Sequence, residues 1–378
     1  MGGPHIVVIG LGATGSAALC QLACRGVCTT GIEQFAIGHD RGSSHGPTRI
    51  IRLAHFENTA YVPLLRRAYA LWRELEAASK TKIMDLTGIA EIGPPGGGLI
   101  TGTLAAARTY DLPHEVLDAN ASMRRFPLWK LPSDFVAVLQ PDAGSIAAES
   151  AIAANIRIAT AADATLLSGE KVLAIEPKNN GVRVITAQRS LDADGAIIAA
   201  GPWMRSLLPG LHLPLRVTRQ VVGWFEPSDP ELFAADRFPV FILESRFGSH
   251  YGFPLYDSMG VKVGKHHHLD ETVEPESCKR DVTAVDEAAI RAPLAEYLPA
   301  ANGRLVNAHT CLYTMTPDGT FIVDLVPGCP QIVIASPCSG HGFKFAPVIG
   351  EITADLVTKG ETAHDISLFR LERFGATA

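Results

Sequence analysis

The chain has 378 residues, of which 19% are charged and 47% hydrophobic, and a formal net charge of −6. That length suits two domains with a sizeable core, and the composition excludes a disordered chain. The acidic balance excludes a basic footprint for nucleic acid. No apolar run reaches the roughly 18 residues that span a bilayer, and the first one starts too early for a signal peptide. A cytoplasmic protein off the membrane is therefore expected. Seven cysteines, an odd number thinly spread, argue against a disulfide framework.

Residues 5–9 read as a buried strand. Gly10-Leu11-Gly12-Ala13-Thr14-Gly15 reads as a tight turn opening a helix. Gly10 allows the turn, Gly12 lets backbone approach a pyrophosphate, and Gly15 lets helix pack close to strand. The helix start offers free N–H groups and partial positive charge to a diphosphate. Glu33 closes a second short run, about 20 residues on, where an acid can accept from a ribose hydroxyl. Cys20, Cys24 and Cys28 recur every four residues and are read as one packing face of the helix and its end, not as metal ligands.

A polar loop follows, with Ser43-Ser44-His45-Gly46, then Arg49-Ile50-Ile51-Arg52. Tyr61, Leu64, Leu65, Ala68, Trp72 and Leu75 keep helical spacing. A new unit begins near Lys80. Residues 99–110 read as helix, 121–125 as a short helix capped by Asp118 or Asn120, and 147–162 as an alanine-rich helix. Residues 171–176 and 182–187 form a hairpin through Asn179-Asn180-Gly181. The apolar run 196–200 ends at Gly201, as a strand near a nucleotide would. Strands at 217–225, 240–243, 250–253, 260–266 and 304–314 suggest an antiparallel sheet. A helix at 286–298, short strands at 321–324 and 332–335, and a final helix at 348–358 complete the chain.

Nucleotide-binding texture thus recurs at the start, the middle and the end. This predicts an α/β fold in which a Rossmann-like domain (1–79, 150–215 and 318–378) interleaves with an α+β substrate domain, mainly antiparallel sheet (80–149 and 216–317).

Within 260–266, alternation puts Gly260, Lys262, Gly264 and His266 on one face. Packing does not call for such a face, and its glycines leave room for a flat ligand. His266, His267 and His268 cannot all face one ion, so no metal is expected. Gly340 and Gly342, just past a strand end, again permit close backbone approach. Lys344 and Arg52 are candidate anion partners, Arg52 being suited to a carboxylate.

These stretches, with Tyr251-Gly252-Phe253-Pro254 and Cys311-Leu312-Tyr313-Thr314-Met315-Thr316-Pro317-Asp318, resemble one family along nearly the whole chain. It is the monomeric sarcosine oxidase family, with N-methyltryptophan and pipecolate oxidases, among D-amino-acid-oxidase-like flavoproteins. The resemblance implies FAD, bonded through a thioether to Cys311. It implies that Gly10, Gly12, Gly15, Glu33, Ser44, Gly340, Gly342 and Lys344 hold the cofactor. His45 and Arg49 would also hold it, and would stabilise negative charge on the ring while the thioether forms. Lys262 would help reduced flavin pass electrons to oxygen. Arg52 and Lys344 would hold a substrate carboxylate, while Tyr251, His266 and Tyr313 line the amine pocket. Pro337-Cys338, His55 and Pro47 depart from the family's pattern and bear on the substrate side chain.

The expected function is oxidation of a small secondary α-amino acid, of sarcosine type, to an imine and hydrogen peroxide, by a monomer. The alternatives are oxidation of a cyclic or bulkier amine, transfer to another acceptor, and a non-catalytic flavin-binding subunit.

Overall fold

The computed structural model of the chain describes residues 3–208, 210–256 and 259–375. Strand β1 (His5–Ile9), helix α1 (Ala13–Cys24) and strand β2 (Cys28–Glu33) form the opening unit. β1 lies between β2 and Gly195–Ile198, parallel to both. Thr165–Ser168 and Cys329–Ser336 extend the sheet in parallel, and Ile322–Val326 adds an antiparallel edge. Parallel central strands are covered on both faces, so they read as continuous apolar runs. One face packs on α1, α2 (Val62–Ser79) and the helix Ala346–Lys359. The other face packs on a three-stranded meander that turns at Asn179-Asn180.

The glycine turn has a steric basis. Gly10 has φ +86°, and a Cβ on Gly15 would sit 1.7 Å from the Gly10 carbonyl oxygen. Only hydrogen at position 15 lets α1 start this close to β1. Cys20 is buried on α1, but Cys28 is exposed at the start of β2, so the three cysteines do not share one helix face.

The second large sheet has eight strands. Their order is Leu305–Met315, Arg216–Phe225, Val261–Lys265, Gly248–Gly252, Val240–Ser245, Ile89–Gly93, Val136–Gln140 and Glu115–Asp118. All pairs are antiparallel except Val240–Ser245 with Ile89–Gly93. The last three strands are absent from the sequence reading. Ile89–Gly93 is fully buried but holds a glutamate, which broke its apolar pattern. The helix Ala284–Tyr297 packs behind this sheet, started by a Thr283–Asp286 capping box.

A small sheet joins the two parts. Strand β3 (Thr48–Ile51) pairs with Gly144–Ala147, which also pairs with Met84–Asp85. Helix α2 uses the expected apolar stripe, and its Trp72 Nε1 donates to the Lys344 carbonyl at 3.0 Å.

Gly15→Ala should destabilise the protein by about 1–3 kcal/mol through overpacking. Thermal unfolding reads this directly, and an unchanged midpoint would contradict the close approach.

Candidate active site

One long cavity runs from the C-terminal ends of β1 and β2 to the inner face of the eight-stranded sheet. In open parallel sheets this end is where ligands bind. Gly10, Gly12, Glu33, Ser44, His45 and Arg49 line it on one side, with Lys262, His266, Cys311, Tyr251 and Tyr313 further along. Arg52, Gly340, Gly342 and Lys344 also line it. Gly15 does not, because its work is the packing of α1 on β1.

At the first end, Glu33 Oε2 accepts the Leu11 N–H at 2.9 Å, and Oε1 accepts the Phe35 N–H at 3.2 Å. Burial opposes its charge, but donation from His39 and these two N–H groups holds its pKa below the usual value. Glu33 thus braces the glycine turn and keeps lone pairs for a further donor. Ser44 Oγ accepts the Ala13 N–H at 3.1 Å, which fixes the 43–48 loop over the start of α1.

Arg49 clamps that loop. Its Nη2 donates to the Ser43 and His45 carbonyls at 3.0 and 2.6 Å, and its Nη1 to Thr48 O at 2.9 Å. His45 Nε2 contacts the Thr310 carbonyl at 3.1 Å, so that nitrogen carries the proton and Nδ1 is a lone pair. Burial, with the Arg49 charge, pulls the His45 pKa down to about 4. His45 is therefore neutral at pH 7. Of the pair expected to answer negative charge, only Arg49 is a cation.

Lys262 is buried, and its Nζ donates to Thr48 O at 3.0 Å and Thr48 Oγ1 at 3.1 Å. It also lies 4.9 Å from the Phe253 ring centroid and 5.4 Å from that of Trp224. Burial, then Arg49, pushes its pKa well below the ordinary lysine value. Cys311 faces the same space from the strand Leu305–Met315. Burial raises its thiol pKa, while Arg49, Lys262 and Arg280 oppose that rise.

The flanking glycines serve protein neighbours. A Cβ on Gly264 would strike the Tyr251 ring at 2.6 Å, and one on Gly260 the Phe225 carbonyl at 2.5 Å. A Cβ on Gly340 would meet His266 and Tyr313 at 2.6 Å, and one on Gly342 the Pro337 carbonyl at 1.4 Å. These positions make room for pocket side chains and for the turn, and Gly340 and Gly342 also line the cavity. His266 follows the strand Val261–Lys265 and is held neutral by burial, its pKa near 3.

Arg52 is less free than expected. Its Nη2 donates to Glu57 Oε2 at 2.6 Å, and its Nε lies 3.3 Å from Glu91 Oε1. Lys344 Nζ donates to the His341 carbonyl at 2.7 Å, and burial, then Arg52, lowers its pKa to about 7. The sequence reading missed Glu57 and Glu91. Glu57 carries no sequence signal, whereas Glu91 does, as a charge inside an apolar strand.

His268 is drawn away from the cavity to Asp286, 2.8 Å from its Nε2. A different trio, His55, Glu57 and His341, brings donor atoms within 4.8 Å of one another. Arg52, paired with this same Glu57, and Lys344 nearby oppose a divalent cation there.

The family model for FAD-dependent oxidoreductases of the DAO type matches residues 5–356. The chain belongs to this family. It is 39% identical over 376 residues to a monomeric sarcosine oxidase of Streptomyces avermitilis, covering 98% of each chain. It is 35% identical over 371 residues to an N-methyl-L-tryptophan oxidase of Salmonella dublin, again covering 98% of each. Among solved structures it is similar to NikD, an amino acid oxidase of nikkomycin biosynthesis, with a TM-score of 0.85, 26% identity and 98% of both chains covered.

This member of the FAD family has a cavity that fits the cofactor. Ser43 Oγ, His45 Nδ1 and Trp203 Nε1 are buried polar atoms of lining residues with no hydrogen-bond partner among the described residues. Gly10, Gly12 and Glu33 would hold the dinucleotide end, and the 43–49 loop with Lys262 the ring end. No helix among the described residues is long and apolar enough to cross a membrane.

Carboxylate binding should weaken with pH. A bound anion raises the Lys344 pKa, so affinity is full below about 7 and falls about tenfold per unit above it. Titration of the flavin-loaded protein with propionate at several pH values checks this. Lys344→Met should weaken binding and flatten the profile, and an unaltered slope would remove Lys344 from the site.

Proposed function

We propose that the protein oxidises a small secondary α-amino acid of sarcosine type, with oxygen as acceptor. The observation that carries this is the placement of two buried cationic side chains, Arg52 and Lys344, on the wall of the cavity that also holds Lys262. Arg52 and Lys344 would take the substrate carboxylate, which fixes the amine and its C–H bonds along the pocket. Such orientation is a large part of a rate enhancement. Tyr251, His266 and Tyr313 would surround the amine. The imidazole is neutral and burial favours neutral phenols, so they suit an uncharged amine.

Bound FAD supplies the two-electron acceptor for a hydride equivalent from the C–H beside nitrogen, and passes the electrons to oxygen as hydrogen peroxide. Water hydrolyses the imine, so sarcosine yields glycine and formaldehyde. Lys262 would place a cation beside the oxygen that is reduced. Burial and Arg49 hold its pKa well below the ordinary lysine value, and negative charge developing nearby would favour its protonated form.

We further propose that Cys311 bonds the flavin at its 8α carbon, with loss of the thiol proton and of one methyl proton, the two electrons passing to the ring and from it to oxygen. Arg49 would offset the negative charge developed as sulfur adds, and the neutral His45 offers the Nδ1 lone pair. The relatives' names support a monomer, and we propose that state here, with a cytoplasmic location. We also take 1–79, 150–215 and 318–378 as the cofactor domain, and 80–149 and 216–317 as the substrate domain. The N-methyl-L-tryptophan oxidase relative supports a bulkier amine as a second reading.

Anaerobic mixing with sarcosine, N-methyltryptophan and pipecolate should bleach the flavin fastest with sarcosine, and air should then yield one peroxide per turnover. Bleaching by a bulkier or cyclic amine alone would overturn the sarcosine assignment, and no bleaching by any would overturn the oxidase. Acid precipitation should leave the wild-type polypeptide yellow, whereas Cys311→Ala should release free FAD. If the wild type releases all its FAD, the bond is absent.

A further inference from the structure

Glu91 sits at the middle of the strand Ile89–Gly93, which has a partner strand on each side. Its exposure is 0%. A carboxylate at such a place must be hydrogen-bonded to be tolerated. Its Oε2 accepts from Thr103 Oγ1 and from Gln140 Nε2, both at 2.7 Å. Gln140 is itself pinned, since its Oε1 accepts the Ala54 N–H at 2.9 Å. The other oxygen, Oε1, lies 3.3 Å from Arg52 Nε, and neither of these two atoms has a hydrogen-bond partner among the described residues.

Arg52 therefore meets two carboxylates of different kinds. Glu91 is fixed by two donors inside a sheet. Glu57 lies on the segment between β3 and α2, its side chain 22% exposed, and takes the Nη2 edge. A guanidinium recognises a carboxylate best through two parallel N–H groups of one edge. Nη2 carries two hydrogens, so an incoming carboxylate can take the Nη1–Nη2 edge beside Glu57 or in its place. In either case the Nε side keeps its anion, and the Phe56 ring lies 4.5 Å from the guanidinium carbon.

We infer that Glu91 is a positioning residue for substrate recognition. It fixes the Nε side of Arg52 so that the Nη1–Nη2 edge meets the substrate carboxylate, with Thr103 and Gln140 as its supports. The inference rests on the reading of Arg52 as a carboxylate partner. It touches neither substrate nor flavin chemistry, so its mark is on binding and not on turnover.

Glu91→Gln keeps the size and removes an acceptor. Its amide NH2 must face either Arg52 or Gln140 Nε2, and both are donors. In the flavin-loaded variant the Kd for propionate should rise about tenfold, the effect of one charge-assisted contact. The KM for sarcosine should rise alongside it, with kcat within about twofold of wild type. Thr103→Val, which removes one support, should shift both constants the same way by a smaller factor, and it decides the matter if Glu91→Gln does not fold. Arg52→Met separates the two layers. If Arg52→Met loses propionate binding while the variants that fold at 91 and 103 keep wild-type Kd and KM, the role of Glu91 is overturned and the reading of Arg52 stands. If Arg52→Met itself binds propionate like wild type, both are overturned. A fall in kcat at unchanged KM in Glu91→Gln would also overturn the positioning role.

Discussion

Lys262 donates from its Nζ to both the carbonyl and the hydroxyl of Thr48, across from the eight-stranded sheet to strand β3. An ammonium shut away from water is costly by several kcal/mol unless donors and acceptors are matched. Two oxygens of one residue, and the faces of Trp224 and Phe253, make up part of that loss. The contact also sets geometry. Thr48 follows the Ser43–Gly46 loop that Arg49 clamps, and the same loop bonds through Ser44 to the first turn of α1. One buried lysine thereby ties the chemistry-bearing sheet to the loop over the glycine turn.

The rest of the site repeats this pattern of charges that are already paired. Arg52 has Glu57 and Glu91, Glu33 has two backbone N–H groups, and Lys344 has a carbonyl. These pairings differ in how easily they are exchanged. Glu33 is locked to the turn it supports. Glu57 reaches Arg52 from the chain between β3 and α2, and its side chain is partly exposed. A buried carboxylate at Glu91 persists because Thr103 and Gln140 satisfy it, although burial still raises its pKa to about 7. In this arrangement the buried cations Arg52 and Lys344 already face carboxylates or a carbonyl.

The sequence made the glycine turn, Glu33 and the parallel strands at 5–9, 29–33, 196–200 and 332–335 legible, because each depends on local pattern, while the edge strand Thr165–Ser168 went unread. The alternation along 260–266 also placed Lys262 and His266 toward a common space, and both line the cavity. Two kinds of feature were not legible. The strands Ile89–Gly93 and Val136–Gln140 lacked a clean period, since Glu91 and Gln140 interrupt it for each other's sake across the sheet. The partners of Arg52 come from residues 57 and 91, and no spacing rule links them to position 52. Several glycines were read as room for a ligand, and Gly264 and Gly340 also clear space for Tyr251, Tyr313 and His266. A sequence shows where a Cβ is missing. Only the packing shows which atom occupies the gap.

The central claim is that a substrate carboxylate binds between Arg52 and Lys344, with its amine end toward the flavin ring and Lys262. A crystal structure of the flavin-loaded protein with a small carboxylate analogue of the substrate tests it most directly. The account predicts carboxylate density in contact with Arg52 and Lys344, and Glu91 still against the Arg52 Nε. Density for the carboxylate elsewhere in the cavity would contradict it.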